Sequence, residues 1–75
     1  MRKSILEILD EIRPGVDWEA ETAIIDDGLL DSFDIISLVG ELEGEFGVKI
    51  GLEHLEPENF NSLDAIVSLL EKLGA

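Results

Sequence analysis

Few residues in this 75-residue chain are equipped for chemistry. There is one histidine, His54, and no cysteine, so a Ser-His-Asp arrangement would have to be built on His54. It is flanked by Glu53 and Glu56 in a stretch broken by Pro57, which reads as a surface turn rather than the seat of a base. A zinc site lacks nitrogen and sulfur ligands. The run Asp26-Asp27-Gly28 invites a calcium-loop reading. With Gly28 at the sixth position, however, Ala23 and Ile25 fall where the first and third carboxylates belong. No catalytic set and no metal site is expected.

What remains is the junction Gly28-Leu29-Leu30-Asp31-Ser32-Phe33-Asp34, a loop running into a helix. Asp31 and Ser32 make a good helix start on their own. A serine in the first turn of an amphipathic helix also exposes its hydroxyl beside unpaired backbone N–H groups, a setting that suits a phosphate ester. The carboxylate before it, Asp31, can help hold a metal-bound phosphate donor during transfer to that hydroxyl.

Three amphipathic helices have to position this junction. Ser4 with Glu7 three residues later forms a capping box ahead of the stripe Ile5, Ile8, Leu9 and Ile12, and Pro14-Gly15 stops that helix. A connection from Val16 to Leu30 follows, roughly twice the usual length of a helix–helix loop. Its Val16, Trp18, Ile24, Ile25, Leu29 and Leu30 are the anchors expected to dock on the helices, Trp18 as a staple rather than a ligand platform. The second helix runs from Asp31 or Ser32 to about Phe46, capped by Asp31, with Asp34 in its first turn and Gly47 ending it. Its core arc is Ile35, Leu38, Val39, Leu42 and Phe46. Val48 and Ile50 are pegs of an extended loop, and the segment Gly51 to Phe60 has room for one helical turn around Glu53 to Leu55. Asn61 caps the last helix, about Ser62 to Leu73, whose stripe is Leu63, Ile66, Val67, Leu70 and Leu73. The fold class is all-α: a small bundle of three main helices and one short helix, with a long loop between the first two.

Composition narrows the function further. Eighteen acidic residues against five basic ones give a formal net charge of −13. Nucleic acid and anionic membranes need Lys and Arg to displace counterions, so neither is an expected partner. Hydrophobic residues make up 45% of the chain, enough to fold despite the charge. Met1-Arg2-Lys3 resembles the start of a signal peptide, but Glu7 and Asp10 interrupt any apolar region behind it. The expectation is one domain over residues 1–75, monomeric and cytoplasmic, that meets basic partner surfaces.

The stretch from Asp27 through Asp31-Ser32-Phe33-Asp34 to Val39, continuing from Leu42 through Phe46-Gly47 to Ile50, resembles the acyl and peptidyl carrier proteins. The later Asn61-Ser62-Leu63-Asp64 and the three-helix layout also match, so the resemblance covers essentially the whole chain. The family's Asp-Ser-Leu core stands here as Asp31-Ser32-Phe33, a conservative departure. The resemblance implies that a phosphopantetheinyl transferase moves the 4′-phosphopantetheine arm of coenzyme A onto Ser32, with Asp31 assisting. The arm's thiol then carries cargo as a thioester to acyl-activating, acyltransferase or synthase enzymes. The carrier itself is no enzyme. It raises the effective concentration of a reactive group and presents it. Fatty-acid carriers commonly read Gly-Ala-Asp-Ser-Leu at this junction, whereas Leu29-Leu30-Asp31-Ser32-Phe33 looks closer to D-alanyl, peptidyl and polyketide-type carriers.

A docking face follows from helical geometry alone. Opposite the core arc of the second helix lie Phe33, Ile36, Ser37, Gly40 and Gly44, with Asp34, Glu41 and Glu45 as a charged flank and Glu43 on the other side. An apolar patch with a charged rim is the anatomy of a transient interface. Gly40 and Gly44 each cost about 1 kcal/mol relative to alanine; four residues apart, they either admit a close partner helix or are merely tolerated. The rival reading is an unmodified acidic module that binds basic surfaces, which explains the charge but leaves Asp31-Ser32 as coincidence.

Overall fold

A computed structural model describes residues 1–75. It contains α1 (Arg2–Ile12), α2 (Ser32–Phe46), a single 3₁₀ turn (Leu52–His54), α3 (Pro57–Phe60) and α4 (Leu63–Lys72), with no strands. This is the expected all-α class. Helix α1 packs on α2 and on α4, and α3 packs on α4. Fourteen residues are buried, none of them polar or charged. The core takes Ile5, Ile8 and Leu9 from α1, Leu38 and Leu42 from α2, and Leu63, Ile66, Leu69 and Leu70 from α4.

The long loop earns its order through the expected anchors. Trp18, Ile24 and Leu30 are buried in the common core, and Val16, Ile25 and Leu29 pack against it. The Trp18 indole N–H has no hydrogen-bond partner, so this side chain holds the loop by apolar burial alone. Ile50 is buried and Val48 half-buried, as pegs of an extended segment. The backbone N–H of Ile50 donates to the Glu43 carboxylate at 2.8 Å, which ties that segment to the side of α2.

Four local readings are corrected. The expected Ser4–Glu7 capping box does not form, because α1 begins earlier: the Ile5 N–H already bonds the Met1 carbonyl, and Ser4 lies inside the helix. An ion pair between Arg2 and Asp64 of α4 holds this extra turn against the bundle. The turn expected over Glu53 to Leu55 sits one residue earlier, and Pro57 opens α3 instead of only breaking the chain. At the first helical position its missing N–H has no carbonyl to bond in any case. Leu69 joins the α4 stripe as a fully packed residue, whereas Val67 and Leu73 are only partly buried. The fourth correction concerns Asn61, which does not cap α4; Ser62 does, its hydroxyl accepting from the Ala65 N–H at 3.0 Å.

Asn61 serves the loop instead. Its side-chain oxygen accepts from the Ile25 and Asp26 N–H groups at 2.9 and 3.1 Å, and its amide donates to the Asp26 carboxylate at 3.1 Å. Its carbonyl accepts from the Ile24 N–H at 2.9 Å. One residue thus clips three consecutive loop positions just upstream of the Asp31-Ser32 junction.

Candidate functional site

The start of α2 is built by a reciprocal cap. Asp31 lies just outside the helix in extended backbone (φ −89, ψ −177), and its carboxylate accepts from the Asp34 N–H at 2.8 Å. The Asp34 carboxylate reaches back to the Asp31 N–H at 3.2 Å. The Ile35 N–H bonds the Asp31 carbonyl at 3.0 Å. Among the first N–H groups of the helix, those of Asp34 and Ile35 are therefore satisfied, and those of Ser32 and Phe33 have no protein partner. Ser32 occupies the first helical position, is exposed, and its hydroxyl makes no hydrogen bond within the chain. An accessible hydroxyl, two free N–H donors and the positive end of a 15-residue helix dipole thus coincide.

Asp34 is less exposed than Asp31, Ser32 or Phe33, its side chain 21% accessible. The Asp31 N–H holds its carboxyl below the usual carboxylate range. Partial loss of hydration opposes this, and the Arg13 guanidinium at 3.3 Å reinforces it. Arg13 follows the last residue of α1, so this contact joins the end of one helix to the start of the next.

The expected docking residues are exposed along one side of α2, except Asp34. Phe33 is 82% and Ile36 68% exposed, large values for apolar side chains. Ser37, Gly40, Glu41, Gly44 and Glu45 are exposed along the same helix, while Asp34 is turned into the cap and the Arg13 pair. A Cβ at Gly40 or Gly44 would meet nothing within 4 Å beyond the backbone of its own helix, so packing places no demand on either glycine. Leu52, on the 3₁₀ turn, is a further exposed apolar residue that sequence reasoning passed over. It sits in a short turn with no periodicity to mark its side.

Behind Ile35 lies a small cavity of about 80 Å³, lined by Ile25, Ile35, Leu55, Glu56, Pro57 and Phe60. Sequence reasoning did not anticipate it, because its walls come from three segments far apart in the chain. On its rim the Glu56 carboxyl is raised above the usual range by a hydrogen bond and charge repulsion from Glu58. His54 is half-buried beside Glu53, 3.7 Å from its carboxylate, and meets no nucleophile. No three of His, Cys, Asp and Glu are arranged to hold a metal ion. No helix is long and apolar enough to cross a membrane.

Comparison with known proteins bears on what this arrangement is for. The family model described as "Phosphopantetheine attachment site" matches residues 2–70. A probable acyl carrier protein, PigG, of Serratia sp. (strain ATCC 39006) is 32% identical over 69 residues, spanning 92% of this chain and 77% of the relative. The D-alanyl carrier protein of Bacillus velezensis is 27% identical over 74 residues, 96% of this chain and 95% of its own. The acyl carrier protein of Thermotoga maritima is 40% identical over 52 residues, 69% of this chain and 62% of the relative. These relatives are carriers, which present cargo and do not catalyse, and the group their family holds is phosphopantetheine. An exposed serine at a free helix start fits a phosphodiester, and the chain belongs to the phosphopantetheine-binding carrier proteins.

Proposed function

We propose that Ser32 carries the 4′-phosphopantetheine arm and that the chain ferries acyl-type cargo on it as a thioester. The observation that carries this reading is the exposed, uncommitted Ser32 hydroxyl at the start of α2, in a chain that matches a phosphopantetheine-attachment family over residues 2–70. In the attachment step the Ser32 oxygen bonds the phosphorus that bears the pantetheine arm of coenzyme A. The pyrophosphate P–O bond breaks, adenosine 3′,5′-bisphosphate leaves, and the hydroxyl proton passes to a base of the transferase. Asp31 keeps one carboxylate oxygen on the Asp34 N–H and has the other free to help orient a metal-bound donor. The Ser32 and Phe33 N–H groups suit the resulting phosphodiester. Once bound, the arm supplies the thiol that holds cargo.

Phe33, Ile36, Ser37, Gly40 and Gly44 offer an apolar and small-residue strip, with Glu41 and Glu45 beside it, to the transferase and to acyl-activating, acyltransferase or synthase enzymes bearing basic patches. Opposite charge speeds encounter, and exposed, salt-screened contacts let each partner go. A cytoplasmic, monomeric, single-domain carrier is the form this role favours.

An aminoacyl cargo is the second reading. It is favoured by the Leu29-Leu30 approach to Asp31 and by D-alanyl carriers that align over nearly their whole length. Incubation with coenzyme A, magnesium and a broad-specificity phosphopantetheinyl transferase, followed by tandem mass spectrometry, tests the attachment. The phosphodiester is expected on the peptide containing Ser32. A chain that stays unmodified while a control carrier is loaded would favour the acidic interaction module.

A further inference from the structure

The junction is tied to the rest of the bundle at one polar point. Of five cationic side chains, only Arg2 and Arg13 pair with a carboxylate on another helix, and only Arg13 does so at α2. At about 100° per residue, Asp34 lies roughly 200° around the helix from Ser32, so a cation on Asp34 stands on the far side of α2 from the hydroxyl. It does not sit at the attachment point. What it does touch is the carboxylate that accepts the Asp31 N–H at 3.2 Å, while the Asp34 N–H holds the Asp31 carboxylate at 2.8 Å.

We propose that Arg13 is a positioning residue for arm attachment: by fixing the Asp34 carboxylate it locks the reciprocal cap that aims Asp31 and presents Ser32. The inference rests on Ser32 being the attachment residue. The chain of contacts runs from the end of α1 through Arg13 and Asp34 to the Asp31 backbone and side chain. Without Arg13, the Asp34 carboxylate loses its only partner outside α2 and its cap. Asp31 then samples more orientations, and fewer encounters with the transferase find its free oxygen aligned.

The test measures kcat and KM for arm transfer separately in the wild type, Arg13→Gln, Arg13→Lys, Asp34→Asn and the Arg13→Gln/Asp34→Asn double variant. All are assayed well below their melting temperatures. Arg13→Gln is expected to lower kcat about three- to tenfold, well short of the loss that a full misplacement causes. Its KM should stay within about twofold, and lysine should restore most of the rate because it keeps a cation at Asp34. The double variant should be no slower than Asp34→Asn alone, since Arg13 acts through that carboxylate. A change in KM in place of kcat would mean that Arg13 contacts the transferase, and additive losses would mean that it bypasses Asp34. Either result overturns the proposal. Amide exchange at Asp31 supplies a readout that needs no transferase: Arg13→Gln should speed it, and unchanged exchange overturns the relay. A wild-type chain that accepts no arm would sink the reading of Ser32 itself, with Asp31 exchange still deciding whether Arg13 governs the cap.

Discussion

Two helices in this chain begin with nearly the same four residues, Asp31-Ser32-Phe33-Asp34 and Asn61-Ser62-Leu63-Asp64, and use them in opposite ways. At α4 the serine is the cap, its hydroxyl bound to the Ala65 N–H and half-buried. At α2 the aspartate before the serine is the cap, and Ser32 moves one position into the helix with its hydroxyl exposed and free. The aspartates differ as well. Asp64 pairs with Arg2 to dock α1 on α4, whereas Asp34 closes a reciprocal cap and takes Arg13 as a brace. The lesson is one of register: a carboxylate that takes over the capping role leaves the next hydroxyl exposed and uncommitted.

The largest effect expected from this comparison is at Asn61. Asn61→Ala strips the acceptor from the Ile25 and Asp26 N–H groups, and should cost about 2–3 kcal/mol. For a domain this small that is a fall in melting temperature of roughly 10 °C or more. A loss below about 0.5 kcal/mol would show that the loop is held by Trp18, Ile24 and Leu30 alone.

The helix bodies contrast next: α4 contains no glycine, and α2 contains two with open space around them. Replacing Gly40 and Gly44 together with alanine should stabilise the fold by up to about 2 kcal/mol in denaturant unfolding. If the glycines serve docking, the same variant weakens at least one partner complex. Unchanged affinities alongside raised stability would remove them from the interface.

Ser62→Ala should cost about 1 kcal/mol, the worth of a helix cap, and leave arm attachment intact. Ser32→Ala removes no cap and should leave the melting temperature within a few degrees of the wild type. Reversed stabilities would mean that the caps are assigned to the wrong residues.

The smallest effect is pH-dependent and has two signs. Asp34 has its folded pKa depressed, so its contribution is present above the ordinary carboxylate range and is lost as pH falls through the lowered value. Glu56 has its folded pKa raised, so its contribution is present below the ordinary range and fades as pH rises through the raised value. Asp34→Asn should therefore narrow its stability gap to wild type on acidification, and Glu56→Gln should widen any advantage over wild type toward neutral pH. Parallel stability curves would show that neither carboxyl is perturbed.

Why some of this is readable in sequence follows from the same pair of helix starts. The apolar stripes are periodic, so the three long helices, most of their buried faces and the loop anchors at Trp18, Ile24 and Leu30 are legible before any coordinates. The Asp31 cap and the left-handed Gly47 stop (φ 64, ψ 33) are local and equally legible. Asn61 and Ser62 were not separable locally, because both are good caps and the choice is made by loop N–H groups about 35 residues away. Ser4 and Glu7 carry a valid capping pattern, yet nothing in the sequence marks that α1 starts three residues sooner, against Asp64. The Arg13 brace and the cavity behind Ile35 are tertiary, and no spacing rule reports them.

The central claim is that two similar serines differ because only one is left free by its cap. Intact mass after incubation with coenzyme A, magnesium and a phosphopantetheinyl transferase, on wild type, Ser32→Ala and Ser62→Ala in parallel, tests it most directly. The account predicts one arm on the wild type and on Ser62→Ala, and none on Ser32→Ala. An arm on Ser32→Ala, or a bare wild type beside a loaded control carrier, would contradict it.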